Sequence, residues 1–335
     1  MTSTSAFRLL SAPSGTYNKA PSGIVAAGLP AFTRGALGAF SLPGAEDARR
    51  PPKPPALYEF QACPFCKKAR EAATLLALDL VFYPCPKSGT AFRPLAAEMA
   101  SAAGKARPQF PLLVEEGEAP LLESDAIVKT LFEKFGPEKA SIPWQLRPRN
   151  FLGKVSLGLS AVPRAGRGRA AAFAFGDDEA GRDLAAAFAA SRRGMRPLVL
   201  WGYEPSPYVT LVREKLTELV REAFPFRRSR NPPLILSLSF SLTLSSLPLS
   251  SPSLSPSPQE LPHLYNQVPR LADKKRAELC AKWPQTAATP EAPAGKFQVP
   301  YLEDPNNVEG GKGAALYETG AILKYLDEEY GPKKK

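Results

Sequence analysis

The apolar positions between residues 56 and 135 change period several times, and each change marks an element. Ala56 to Phe60 reads as a short strand. From Pro64 to Leu78 the residues Ala69, Ala72, Ala73, Leu76 and Ala77 recur at helical spacing, with Pro64 suited to the first helical position. Leu80, Val81, Phe82 and Tyr83 form a second strand closed by Pro84, and a helix follows around Pro94–Ala103. Leu112, Leu113 and Val114 make a third strand, and Pro120 to Leu122 a short fourth. Ser124, with Asp125 next, caps a last helix whose Ile127, Val128, Leu131 and Phe132 face inward. The predicted order is β-α-β-α-β-β-α.

The pattern then recurs. Leu200, Trp201, Gly202 and Tyr203 form a strand, and Ser206-Pro207-Tyr208-Val209 opens a helix that contains Arg213-Glu214. This matches Cys63-Pro64-Phe65-Cys66 with Arg70-Glu71 at a constant offset of 143 residues. Gln298-Val299-Pro300-Tyr301-Leu302 matches Gln109-Phe110-Pro111-Leu112-Leu113, and Tyr317 to Ile322 matches Leu122 to Ile127. Ordered matches of this kind indicate a tandem duplication. The expected division is a leader over 1–55, a first domain over 56–136, a linker over 137–197 and a second domain over 198–331.

The second repeat is interrupted at 220–259. From Leu234 to Pro258 there is no charge, and every residue except Ile235 and Thr243 is Leu, Ser, Phe or Pro, the four types that pyrimidines alone can encode. Excising 220–259 aligns Thr217-Glu218-Leu219-Glu260-Leu261-Pro262-His263-Leu264-Tyr265 with Thr74 to Phe82 without a gap. Val220 must be encoded from the bases GT, and Gln259 is able to end in AG. A retained intron of 40 codons is the hypothesis. A low-complexity surface loop and a membrane segment are the rival readings, and the proline and serine density argues against a bilayer span.

Composition refines this picture. The chain has 335 residues, long enough for about two domains, and 44% hydrophobic residues are ample for real cores. Four cysteines cannot form a disulfide framework, and a single histidine, His263, speaks against histidine-rich metal sites and Ser-His-Asp triads. The 37 prolines indicate that much of the chain lies outside packed elements. The net charge of +11 sits in the tails and linkers rather than on one folded face, which speaks against nucleic-acid binding. Residues 1–45 carry Arg8, Lys19 and Arg34, no acid and no long apolar block. That composition fits an organelle transit peptide, and the start Thr2-Ser3-Thr4-Ser5 favours a plastid (chloroplast) over a mitochondrion. A merely disordered N-terminus is the plain alternative.

The chemistry rests on Cys63-Pro64-Phe65-Cys66. A thiolate attacks disulfides, and free N–H groups and the dipole at a helix start stabilise that anion. Lys67, Lys68 and Arg70 add positive charge nearby. Two intervening residues put Cys66 within one turn, where its thiol reaches a mixed disulfide on Cys63. Cys63 is therefore the candidate nucleophile and Cys66 the resolving thiol. The alternative, half of a zinc site, needs a second ligand pair, and Cys85, Cys280 and His263 are scattered. Cys85 and Cys280 read as inert.

A strand, Cys-Pro-Phe-Cys at a helix start, X-Pro opening a strand and Glu-Ser at the last helix together resemble the thioredoxin superfamily. Within it the pattern is most similar to glutathione S-transferase N-terminal domains and glutaredoxins, and the duplication resembles plastid proteins that carry two such domains. The resemblance implies an α/β fold of two tandem thioredoxin-like domains. Each would be a four-stranded mixed sheet with flanking helices, and Pro111 and Pro300 would follow cis peptide bonds. It also implies that the Phe110-Pro111 backbone pairs with the cysteinyl part of glutathione, and that Glu123 and Ser124 hold its γ-glutamyl end; an anionic carboxylate suits exposed helix N–H groups. Ser124 reads equally as an ordinary N-cap. In the second repeat Ser206 and Val209 replace both thiols, while Val299, Pro300, Glu318 and Thr319 keep the remaining positions. That site is either a hydroxyl-type glutathione site or a relic kept for packing.

The functional expectation is a glutathione-dependent thiol–disulfide oxidoreductase with glutathione as co-substrate and disulfide or glutathionylated proteins as partners. A non-catalytic glutathione- or partner-binding module, or a glutathione transferase, are the alternatives. Neither repeat is followed by room for the all-helical domain that completes a transferase.

Overall fold

Side chains alternate across each strand and so sort the core onto two faces. In chain order the elements are β1 (Phe7–Ser11), α1 (Ile24–Thr33), β2 (Ala56–Glu59), α2 (Pro64–Leu75), β3 (Leu80–Pro84) and α3 (Phe92–Ala102). Next come β4 (Leu112–Val114), β5 (Leu121–Leu122), α4 (Ser124–Phe135), α5 (Phe151–Leu159), β6 (Leu198–Gly202) and α6 (Pro207–Glu218). The last are β7 (His263–Gln267), α7 (Asp273–Lys282), β8 (Tyr301–Glu309), β9 (Lys312–Tyr317) and α8 (Thr319–Tyr330). This computed structural model describes residues 7–11, 21–87, 89, 92–148, 150–164, 166–170, 195–219, 261–282 and 298–331. The insertion at 220–259 and the linker stretch near 183–190 lie outside the described residues.

Leu57, Leu80 and Phe82 point to the face covered by Ala69, Ala72 and Ala73 of α2 and by Ile127, Val128 and Leu131 of α4. Tyr58 and Tyr83 point the other way and meet Phe92 and Ala96 of α3. Leu198, Leu200 and Leu302 continue the first face under Val212 and Leu216 of α6 and Ile322 and Leu326 of α8, so one apolar core runs beneath both halves. Trp201, Tyr301 and Tyr317 pack on the opposite face with Leu279 of α7.

The sheet corrects the expectation of two separate four-stranded sheets. The nine strands among the described residues lie in one sheet of order β1-β9-β8-β6-β7-β3-β2-β4-β5. Within it β3-β2-β4-β5 and β7-β6-β8-β9 have the same order and the same directions. In each group the first pair is parallel and the next two are antiparallel. The groups join where β3 pairs antiparallel with β7, with Leu80 opposite Tyr265, Val81 opposite Leu264 and Phe82 opposite His263. Val81 thus faces the residue with which it aligns in sequence, and a local two-fold axis passes between them. Phe82 packs edge-on to the His263 ring at 5.3 Å and against Tyr265 at 5.2 Å, so the seam is closed by aromatic contact. In the second group β8 and β9 are longer and turn through Gly310 and Gly311. Their φ angles of 59° and 76° suit the two-residue hairpin between Glu309 and Lys312.

Segments read from sequence as leader and linker also pack. Phe7–Ser11 adds β1 in parallel to the outer edge of β9. Helix α1 lies on α6, α5 lies on α2, and α1 and α5 touch each other. Arg34, after α1, is 2% exposed and reaches Glu71 of α2 at 2.6 Å, Ser156 Oγ of α5 at 2.7 Å and the Gly153 carbonyl at 3.1 Å. Arg164, after α5, pairs with Glu214 of α6 and donates to the Gly23 carbonyl at 3.0 Å. The physical reason is the same in both places: a carboxylate buried on a helix needs a cation. Among the described residues no helix is long and apolar enough to cross a membrane.

Two outcomes follow. Arg34→Met removes the close partner of buried Glu71 and leaves it only Lys67 at 3.9 Å, and urea unfolding should report a loss of about 3–5 kcal/mol; a loss below about 1 kcal/mol would show that the pair is dispensable. His263 is held by burial at a pKa of about 3, against 6.5 ordinarily. The folded chain therefore stays neutral there while the unfolded chain binds a proton, and stability falls as pH drops from 6.5 toward 3 by up to about 1.4 kcal/mol per unit. His263→Gln should flatten that part of the stability–pH curve, and an unchanged slope would contradict the assignment.

Candidate active site

Helix α2 begins where Pro64, which has no N–H to leave unsatisfied, follows an extended Cys63. Cys63 is the N-cap, and its Sγ accepts the Cys66 N–H at 3.3 Å. The same sulfur lies 3.9 Å from the carbonyl oxygen of Phe110, and the Phe110–Pro111 peptide is cis. Cys63 is 5% exposed and Cys66 fully buried. Hydrogen bonds from the Cys66 thiol and N–H lower the Cys63 pKa against the opposing effect of burial. Burial raises that of Cys66, and the neighbouring Cys63 raises it further. One thiol is thus biased toward the anion and its neighbour toward the protonated form.

The cations expected to favour the thiolate are each engaged by a carboxylate. Lys68 pairs with Asp125, Lys67 with Glu204 at 3.2 Å, and Arg70 with both Glu59 and Glu204. Glu204 also takes Arg213. Four ionisable side chains, Glu59, Arg70, Glu204 and Arg213, are therefore buried together, and burial raises the Glu59 pKa against the pull of Arg70. The sequence reading passed over Glu59, Glu204 and Arg213 as site residues. Glu59 carried a signal, because a carboxylate in the apolar run Ala56–Phe60 has to find a buried partner. Glu204 sits between strand and helix and carried none.

The other predicted residues converge from β4 and α4. Glu123 is the N-cap of α4 at φ 74°, a strained conformation for a side-chain-bearing residue, and no side chain caps the helix there. Ser124 is the buried first helical residue rather than the cap, while the Glu123 carboxylate is exposed and lies 3.6 Å from Lys105. Phe110 packs edge-on to Phe60 at 5.8 Å, and the Arg93 guanidinium lies 5.0 Å from its ring. The Cys63 sulfur thus meets the carbonyl just ahead of β4, and the Lys68–Asp125 pair ties the start of α4 to α2.

The second half repeats the arrangement without thiols. Ser206 is the N-cap of α6, and its Oγ accepts the Val209 N–H at 3.4 Å. Val299–Pro300 is cis, and Glu318 has φ 68° ahead of a buried Thr319 whose Oγ1 has no hydrogen-bond partner. The two remaining cysteines lie elsewhere. Cys85 is buried with its thiol donating to the Tyr83 carbonyl at 3.4 Å, and Cys280 is partly exposed on α7. None of the four cysteines is in a disulfide. Among the described residues no group of three or more His, Cys, Asp or Glu is arranged to hold a metal ion.

A cleft beside Cys63 is lined by Lys67 of α2, Thr210 and Glu214 of α6, Pro30 of α1, and Ser160 and Arg164 after α5. Helix α1 and the segment that follows α5 thus border the sulfur's surroundings.

Residues 57–139 match the family model of the glutathione S-transferase N-terminal domain. No curated protein and no solved structure matches the chain. The match spans β2 through α4, and with it Cys63, Cys66, Phe110, Pro111, Glu123 and Ser124.

If Cys63 is the more acidic thiol, a limiting amount of iodoacetamide at pH 6 should label Cys63 ahead of Cys66, Cys85 and Cys280. Peptide mass spectrometry reads the order. Equal labelling, appearing only above pH 8, would overturn the assignment.

Proposed function

We propose that the protein is a glutathione-dependent thiol–disulfide oxidoreductase whose nucleophile is Cys63. The single observation that carries this reading is the Cys63 sulfur at a helix start, accepting the Cys66 N–H and lying beside the Phe110 carbonyl. The glutathione S-transferase N-terminal match supports a glutathione-related role.

The Cys63 thiolate attacks the glutathione sulfur of a glutathionylated protein. The old S–S bond breaks, Cys63 takes the glutathionyl group, and the protein leaves as a thiolate that collects a proton from water. A free glutathione thiolate then attacks the glutathione sulfur on Cys63, releasing glutathione disulfide and restoring the Cys63 thiolate. For a protein disulfide, Cys66 gives up its proton and attacks Cys63 sulfur, so the substrate leaves as a dithiol and Cys63–Cys66 becomes a disulfide that two glutathione molecules reduce. The raised pKa of Cys66 keeps it a thiol until it is needed. The Phe110-Pro111 edge would pair with the cysteinyl backbone of glutathione, and Glu123 with Ser124 would hold the γ-glutamyl end. The positive φ of Glu123 supports this role, since strained backbone concentrates at binding sites.

In the same reading the chain is a tandem duplication whose second copy, with Ser206, Val299, Pro300, Glu318 and Thr319, binds without redox chemistry. The recurring strand order and the paired N-caps support it. An organelle leader remains part of the proposal, with the plastid as its destination. The packing of β1, α1 and Arg34 speaks against removal of the whole of 1–55.

The test is turnover of a glutathionylated peptide with glutathione as reductant. Cys63→Ser should abolish it, Ser206→Ala should leave it nearly unchanged, and Cys66→Ser should impair protein-disulfide reduction more than deglutathionylation. Equal losses from Cys63→Ser and Ser206→Ala would show that the second half is a working partner, and no turnover by the wild type would leave a binding module.

A further inference from the structure

The second half of the chain has lost both thiols, yet it contributes charge directly beneath those of the first. Arg70 lies one helical turn beyond Cys66 on α2 and is 1% exposed. Its Nη2 donates to the Gln61 carbonyl at 3.2 Å, its Nη1 to Glu59, and its Nε to Glu204 Oε2 at 3.1 Å. Glu204 belongs to the other half, immediately ahead of α6. It also receives Lys67 and Arg213, and Arg213 in turn bonds Tyr265 Oη at 3.3 Å.

The two halves differ here for a steric reason. The counterpart of Glu59 is Gly202, and a Cβ there would lie 2.7 Å from both Val209 methyl carbons. The second half therefore has no strand carboxylate for its own arginine. Arg213 turns to Glu204, and Glu204 reaches across to Arg70. Each half brings one acidic and one guanidinium side chain to a single dry site, and Glu204 joins the two pairs by bonding Arg70 as well as Arg213.

We infer that Glu204 is a positioning residue for the Cys63–Cys66 couple: with Arg213 it sets the net charge under the two thiols, so that the thiol-free half tunes the redox chemistry of the other. This rests on the reading of Cys63 as the reactive thiol. The groups facing Cys63 are Glu59 from β2, Cys66, Lys67 and Arg70 from α2, Glu214 from α6, and Arg164 and Arg167 from the segment after α5. Arg164 is committed to Glu214, and Lys67 to Glu204. The charge at position 204 therefore reaches the thiols mainly through Arg70.

The experiment is the pH dependence of Cys63 alkylation in the full chain, read by peptide mass spectrometry, with near-ultraviolet circular dichroism as the check on folding. Glu204→Gln removes a buried negative charge and should lower the apparent pKa of Cys63 by about 1 unit. Arg213→Gln removes a positive charge from the same cluster and should raise it by about as much, so if one variant fails to fold the other still decides. The double variant restores the balance and should return the wild-type value. A folded variant with the wild-type pKa, or two single variants that shift it in the same direction as general damage would, overturns the proposal. Alkylation at low pH of a wild-type cysteine other than Cys63 would instead overturn the redox reading on which it rests.

Discussion

The antiparallel pairing of β3 with β7 is the contact on which the rest of the structure depends. A four-strand group ending at β3 would present an unpaired edge with Val81 and Phe82 along it, and the group ending at β7 would do the same with Leu264 and Tyr265. Pairing the two edges satisfies the backbone of both and continues one apolar core across the junction. It also sets α2 beside α6. Every charged group on their facing sides is then removed from water and has to be matched within the protein. Arg70, Glu204, Arg213, Glu71 and Glu214 are the groups concerned, and Arg34 and Arg164 complete the set from segments outside the sheet.

That constraint explains why the half without thiols is tied so closely to the half with them. A relic held only by apolar packing would leave Arg70 to Glu59 alone. Here Glu204 reaches across to Arg70 and binds the buried ionisable groups of the two halves into one cluster, which is the basis of the coupling proposed above. The coupling is electrostatic and needs no movement of the sheet.

Much of this was legible in the sequence, because its signals are local. Alternation along Ala56–Glu59 and Leu80–Pro84 gives strands, proline after an N-capping Cys63 or Ser206 gives helix starts, and Phe110-Pro111 and Val299-Pro300 mark the strand openings. The seam was not legible, since Leu80–Phe82 and His263–Tyr265 are equally apolar whether they face solvent, a helix or each other. Helix α1 was hidden because Ile24–Thr33 has no charge and contains two residues, Gly28 and Pro30, that weaken a helical reading. Arg34 looked like one of a few scattered leader cations until the fold placed Glu71 opposite it. Lys67, Lys68 and Arg70 were read as free positive charge because their carboxylate partners come from other elements, two of them from across the seam or the helix bundle.

The central claim is that one sulfur in this fold carries the chemistry. It is tested most directly by incubating the full-length Cys66→Ser variant with glutathione disulfide near neutral pH and locating the adduct by peptide mass spectrometry. The account predicts a single glutathione, on Cys63. A glutathione on Cys280 or Cys85 with Cys63 unmodified, or no adduct at all, would contradict it.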